Sequence, residues 1–374
     1  MATERNPILH KTDWAEGSKP LPNLPYEINV EILLRLPIKS MLRFRCACKS
    51  WRSLISDPKI VKTHLSIVSS NSSYTHHRLL LITNVPLCDI KSCSISSIMR
   101  HEQSDTAVGV DYPFDPKGFW IEDSCDGLVC VHTDKKTIFL WNPSTKKSRK
   151  LPSITIPDDW QPACGFGYDT STDDYKVVLV FKGGSNRDYH RNKVAVYTLR
   201  ADSWRRIADC PNSVIVAGKG KFVSGALHWT VRGSSSDELI VSLDLAKETY
   251  GEVSQPDYNS NGGFLSTMDV LSGYLCMLCR QWRNHGVHVD LWVMKEYGIR
   301  ESWTKLVAIH DVTHPLCGEY FTPKCILNNG DVLMVVGMRL VRYNPNDGTF
   351  SYLKIRGFFP NYSVYPYIES LVSP

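Results

Sequence analysis

Residues 21–65 read LPNLPYEINVEILLRLPIKSMLRFRCACKSWRSLISDPKIVKTHL. Pro25 suits a first helical position, where its missing N–H costs nothing. Glu27 and Glu31 fall in the early turns, where the helix dipole favours acid. Ile28, Ile32 and Leu36 recur every fourth residue and predict one apolar stripe, and Pro37 ends the helix. A second helical stretch carries Leu42, Phe44 and Cys46, and a third carries Trp51, Leu54 and Ile55. Asp57 before Pro58 predicts an N-cap followed by N1, opening a last short helix to Leu65. A unit of about 45 residues is too short to bury a generous core alone. Its many large apolar side chains therefore leave two readings open. It is a helical subdomain packed on the rest of the chain, or a docking module whose stripe a partner covers.

Leu24-Pro25, Ile28, Ile32-Leu33, Leu36-Pro37, Lys39-Ser40, Leu42-Arg43-Phe44-Arg45, Cys48-Lys49-Ser50-Trp51 and Asp57-Pro58 follow one another without a gap. The segment closely resembles a plant F-box. Met41 stands where a leucine is common, a volume-conserving change. The resemblance implies docking of a Skp-type adaptor and, through it, attachment to a cullin–RING ubiquitin ligase. The implied adaptor-binding residues are Leu24, Pro25, Ile28, Ile32, Leu36, Pro37, Leu42, Phe44, Trp51 and Leu54.

Charge points the same way. Residues 21–65 hold eight basic and three acidic residues, a net +5 that equals the formal charge of the whole chain. A basic helical patch suits nucleic acid or an acidic protein. Here the basic residues interleave with a broad apolar face, which phosphate binding does not need, so an acidic protein partner is favoured over nucleic acid.

The chain has 374 residues, 43% of them hydrophobic, enough for two or so domains. Residues 1–20 mix charge, Gly and Pro without an apolar run, and are expected to be a disordered lead-in rather than a signal peptide. No stretch approaches the roughly 20 apolar residues that span a bilayer. A cytoplasmic or nuclear protein without membrane contact is expected. Its 12 cysteines are then expected to be free thiols. Cys276 and Cys279 have zinc-like spacing but no second pair and a strand-like context, so buried core thiols are the better reading. Residues 66–77, SIVSSNSSYTHH, are Ser-rich and read as a linker.

From Arg78 helical spacing disappears. Short apolar runs alternate with Gly, Asp, Asn, Ser and Pro clusters, the chemistry of strands and turns. A repeat underlies them. In it a strand reaches a polar turn and a second strand leaves, as in IFLWNPSTKKSRK (138–150), VAVYTLRADSWRRI (194–207) and LVRYNPNDGTFSYLKI (340–355). With Trp141, Tyr197, Leu243, Trp292 and Tyr343 as anchors, the spacings are 56, 46, 49 and 51 residues. Each anchor hairpin follows another strand pair, so a unit holds about four strands, the size of a propeller blade. Five units are anchored. A sixth is split, with early strands at 78–97 and a returning strand at 362–372. Six blades are expected, with seven as the alternative. Trp141, Trp229, Trp292 and Trp303 are expected at equivalent positions, filling the space between blades.

Cys125-Asp126-Gly127-Leu128, Trp141-Asn142-Pro143-Ser144-Thr145, Gly165-Phe166-Gly167-Tyr168-Asp169, Asp174-Tyr175-Lys176-Val177-Val178, Gly225-Ala226-Leu227-His228-Trp229, Asp244-Leu245 with Glu248, and Glu301-Ser302-Trp303 resemble the kelch-like F-box-associated domain of plant proteins. The expected fold class is α+β multidomain: a small N-terminal helical F-box at 21–65, then an all-β propeller of about six blades at 78–374.

No enzyme signature emerges. There is no G-x-S-x-G elbow, and Gly218-Lys219-Gly220-Lys221 lacks the upstream glycine and the Ser or Thr of a phosphate loop. His228 reads as a satisfied core histidine. No catalytic residue, metal or cofactor is assigned. The implied role is positional: holding a target protein near a loaded ubiquitin raises its effective concentration. Strands alternate direction, so within blades labelled A to D from the centre outward, B–C and D–A loops share one face. The long, dissimilar connections 182–192, 232–238, 257–263, 280–286 and 310–320 all belong there. Arg187, Tyr189, His190, Trp282, Arg283 and His285 are the expected substrate contacts, because Arg, Trp and Tyr dominate interface hot spots. The resemblance thus implies a substrate receptor of a Skp–cullin–F-box ubiquitin ligase. A non-degradative F-box/propeller scaffold is the alternative.

Overall fold

The protein is described from a computed structural model covering residues 24–70, 74–83, 89–99, 107–115, 118–133, 137–155, 162–182, 192–210, 215–216, 218–232, 238–257, 263–283, 286–309, 321–337, 339–356 and 362–374. Four helices come first: α1 (Tyr26–Leu34), α2 (Ile38–Phe44), α3 (Lys49–Ile55) and α4 (Pro58–Ser69). Pro25 is the N-cap of α1 rather than its first helical residue, and Cys46 lies in the turn after α2. Asp57 caps α4 as the sequence predicts, its Oδ1 accepting the Lys59 amide at 2.7 Å. This helix continues past Leu65 to Ser69, because Ile60, His64 and Val68 repeat every fourth residue and are all buried.

Among the described residues all the remaining regular structure is strand, apart from α5 (Ile95–Met99) and one 3₁₀ turn (Arg300–Ser302). The first strands are β1 (His77–Thr83), β2 (Asp89–Ser94) and β3 (Val108–Gly109). Then come β4 (Trp120–Cys125), β5 (Leu128–His132), β6 (Ile138–Asn142) and β7 (Lys147–Lys150), followed by β8 (Ala163–Asp169), β9 (Asp174–Lys182), β10 (Asn192–Thr198) and β11 (Ser203–Arg206). After the short β12 (Ile215–Val216), the chain forms β13 (Lys219–Val223), β14 (Ala226–Arg232), β15 (Glu238–Asp244) and β16 (Tyr250–Val253). Next are β17 (Gly263–Leu271), β18 (Tyr274–Arg283), β19 (Gly286–Met294) and β20 (Trp303–Ile309), then β21 (Phe321–Ile326), β22 (Val332–Val336), β23 (Arg339–Tyr343) and β24 (Phe350–Tyr352). The last strand, β25 (Tyr362–Ile368), pairs antiparallel with β1, so the first blade is closed by the C-terminal strand.

Each set is an antiparallel four-stranded meander, giving six blades. The innermost strands β25, β4, β8, β13, β17 and β21 neighbour one another in that order, and β21 returns to β25. The ring is therefore closed. Blades 3 and 4 fuse into one larger sheet through parallel pairing of β8 with β13. Glycines make that possible: a Cβ on Gly220 would stand 2.6 Å from the Trp229 ring and 2.9 Å from the Gly165 Cα.

Six apolar clusters each fill one gap between adjacent blades. The predicted tryptophans take part but at unequal positions. Trp141 and Trp292 lie on third strands, Trp229 on a second strand and Trp303 on a fourth. Trp141 is fully buried between blades 1 and 2, whereas Trp292 is only partly covered. Among the described residues no helix is long and apolar enough to cross a membrane.

Candidate functional site

The helical module has an inside and an outside. Leu33, Ile38, Met41, Ile55 and Ile60 form its core together with Leu371 from the C-terminal segment. The stripe predicted on α1 points the other way: Leu24 is 52% exposed, Ile28 45% and Ile32 41%, against 0% for Leu33. Pro25 and Pro37 are exposed as well, and the exposed Phe44 stacks on Trp51 with ring centroids 5.5 Å apart. Leu36, Leu42, Trp51 and Leu54 pack on the inner core and stay partly open. The ten residues expected to bind an adaptor thus divide into six that face outward and four that brace them from behind. Arg35, Lys39, Arg43, Lys49 and Arg52 are exposed around this surface.

Helix α4 seats the module on one face of the propeller. Val61 and Leu65 pack against the cluster between blades 2 and 3, and Lys62 pairs with Asp173 in the β8–β9 turn. Tyr74 donates its hydroxyl to the Ile326 carbonyl at the end of β21. All these contacts lie on the face of the A–B and C–D turns. The strand ends that lead into the B–C and D–A connections therefore lie on the opposite face, away from the helices.

Arg187, Tyr189, His190 and His285 lie outside the described residues, as do most of the long connections. Trp282 and Arg283 are not in a loop, contrary to the sequence reading. They are the last residues of β18, with Trp282 registered to Val287 and Arg283 to Gly286, so the connection 280–286 narrows to residues 284–285.

The motif residues serve structure. Asn142 is fully buried; its Nδ2 donates to the Ser370 and Val372 carbonyls, and its Oδ1 accepts the Ser144 and Thr145 amides. Lys176 joins blades 3 and 4. Its Nζ lies 2.8 Å from Asp169 Oδ2 and 3.1 Å from Glu248 Oε1, and donates to the Leu245 carbonyl at 2.6 Å. Burial opposes ionisation of Asp169, yet Lys176, Ser171 and Thr172 outweigh it and hold the carboxyl well below the usual range. His228 is the satisfied core histidine expected, with Nδ1 3.0 Å from the Lys221 carbonyl and Nε2 2.7 Å from the Tyr297 hydroxyl. Cys276 and Cys279 are buried in clusters on opposite sides of their blade, because residues three apart on a strand face opposite ways. They cannot chelate one ion together.

Sequence reasoning missed the centre of the ring. A cavity of about 560 Å³ runs between the innermost strands, lined by Asp123, Lys219, Lys221, Asp269, Lys324 and Tyr365 among others. Lys221 pairs with Asp269 at 2.6 Å. The available signal was a lysine-bearing first strand in two units, at 219–222 and 322–324.

A helical module with an uncovered apolar face, joined to a closed six-bladed propeller, defines a two-part binding protein. Residues 83–373 match the F-box associated beta propeller domain, and residues 21–63 match the F-box domain. The chain belongs to the F-box proteins that carry this propeller. The F-box/kelch-repeat protein At3g23880 of Arabidopsis thaliana is 34% identical over 366 residues, covering 94% of this chain and 96% of the relative. From the same plant, F-box protein CPR1 is 30% identical over 93% of this chain and 88% of its own length. F-box protein At3g07870 is 28% identical over 97% and 95% respectively. F-box proteins with propeller domains are typically substrate receptors, and generally non-catalytic adaptors.

Proposed function

We propose that this protein is the substrate-recognition subunit of a Skp–cullin–F-box ubiquitin ligase. The observation that carries the reading is the inverted exposure of α1: Ile28 and Ile32 face solvent while Leu33 beside them is fully buried. A folded helical unit that leaves such a stripe uncovered, ringed by basic residues, suits an acidic protein partner with an apolar groove. In this reading residues 21–65 dock a Skp-type adaptor through the ten residues named above. Residues 78–374 present a target protein on the face away from the helices, with residues 1–20 as lead-in; the linker expected at 66–77 shortens to 70–76, because 66–69 continue α4 and His77 opens β1. The protein itself carries out no chemistry; it positions the target for ubiquitin transfer by other subunits, in the cytoplasm or nucleus.

The experiment is co-expression of the full chain with a Skp-type adaptor and co-purification, beside the Leu24→Ala/Pro25→Ala double variant. Stable association of the wild-type chain, lost in the variant, supports the reading. No association with any adaptor overturns it. For the far face, Tyr189→Ala/Trp282→Ala should abolish capture of the target protein while leaving adaptor binding intact; unchanged capture removes these residues from the site.

A further inference from the structure

Three lysines and three carboxylates face the channel at the centre of the ring, and they do not all pair with one another. Lys219, Lys221 and Lys324 project from the innermost strands of blades 4 and 6 and line the same cavity as Glu122, Asp123 and Asp269; His132 engages Glu122 at 3.2 Å. Lys221 is committed to Asp269. Among the described residues Lys219 donates to the Ile121 carbonyl alone, and its Nζ lies 5.1 Å from the centroid of the Tyr365 ring. Lys324 Nζ lies 5.9 Å from the same ring and, among the described residues, has neither a hydrogen-bond nor an ion-pair partner. Two ammonium groups therefore share one aromatic ring, and neither makes a direct ion pair among the described residues, although Asp269 and Asp123 attract Lys324 from further off. Burying a cation without a counter-ion is costly, and like charges on either side raise that cost. Burial, with Lys221 and Lys219 beside it, lowers the Lys324 pKa to about 8 despite Asp269. Asp123 is the lining carboxylate left to face them, and burial raises its pKa against the pull of Lys221 and Lys219.

We propose that the central channel is a binding site for a small multivalent anion, a phosphorylated or polycarboxylated small molecule held between Lys219 and Lys324 over Tyr365. The cavity volume lies within the range of small-molecule sites, roughly 300–1,000 Å³. Thr322 and Ser363 also line it and offer hydroxyl donors. The ligand supplies the direct ion-pair partner that both ammonium groups lack and ties blades 1, 4 and 6 together across the axis. This site is independent of adaptor docking, so either proposal can fail alone.

The test is calorimetric titration of the full chain at pH 8 with pyrophosphate and with citrate, sodium chloride holding ionic strength constant. At least one anion should bind with a Kd below about 1 mM, and Lys324→Met should weaken it at least tenfold. Lys146→Met, an exposed lysine outside the channel, should leave it unchanged. Binding should also draw protons from solution, because the anion returns Lys324 to its charged form. This appears as a heat that scales with buffer ionisation enthalpy, and it requires no variant. Absence of binding by both anions, equal binding by Lys324→Met, or binding of the wild-type chain without proton uptake would overturn the proposal.

Discussion

Replacing Lys176 by Met removes the ammonium that bridges Asp169, Glu248 and the Leu245 carbonyl between blades 3 and 4. The lysine and aspartate side chains are 5% and 0% exposed, so solvent cannot replace the lost charge. Breaking a buried pair from one side costs about 3–5 kcal/mol. The lower end applies here for two reasons. Asp169 keeps hydrogen bonds from the Ser171 amide and hydroxyl and the Thr172 hydroxyl, at 2.9, 2.6 and 2.8 Å. Glu248 keeps Arg205. A loss of about 3 kcal/mol is expected in urea-induced unfolding followed by tryptophan fluorescence. Adding Asp169→Asn should recover part of it, because no uncompensated charge then remains. Lys146→Met serves as the control: its pair with Asp111 is 67% and 77% exposed, and no measurable change is expected. If Lys176→Met unfolds within about 0.5 kcal/mol of the wild-type chain, as an ordinary surface variant does, the clamp is not structural and the reasoning fails.

Ile28→Asp/Ile32→Asp should fold normally yet bind a Skp-type adaptor ~100-fold or more weakly, since two half-covered isoleucines give way to carboxylates that the partner must desolvate. Leu33→Ala should do the reverse, costing about 2–5 kcal/mol of stability through a core cavity; circular dichroism and a pull-down separate the two. Gly220→Ala should strain the β8–β13 contact by about 1–3 kcal/mol, because the new methyl meets the Trp229 ring and the Gly165 backbone, and melting curves would register it. Burial, with His76 adjacent, lowers the His77 pKa to about 4, and burial also lowers those of His64 and His76. Between about pH 6.5 and 4 the unfolded chain therefore takes up more protons, so stability should fall as pH drops through that window. A melting temperature equal at pH 7.5 and pH 5 would contradict this.

Local periodicity made both halves of the protein legible in the sequence. A stripe at every fourth residue, a proline stop and an Asp-Pro cap are properties of a few neighbouring residues, and they specify helices wherever they occur. Alternating runs between turn residues, repeated about every 50 positions, specify blades for the same reason, and a leftover strand at each end implied the split blade. Tertiary structure decided what depends on residues far apart in the chain. Whether the stripe of α1 faced the propeller or solvent depended on Leu33 and Leu371 closing the core behind it. The 280–286 connection became a hairpin because strands β17, β18 and β19 pair over their full lengths. Lys176 meets Glu248, and Lys219 meets Tyr365 near Lys324, only once the ring has closed. Charge that looks like scattered surface polarity along the chain becomes concentrated there, because closure brings the innermost strands around a single axis.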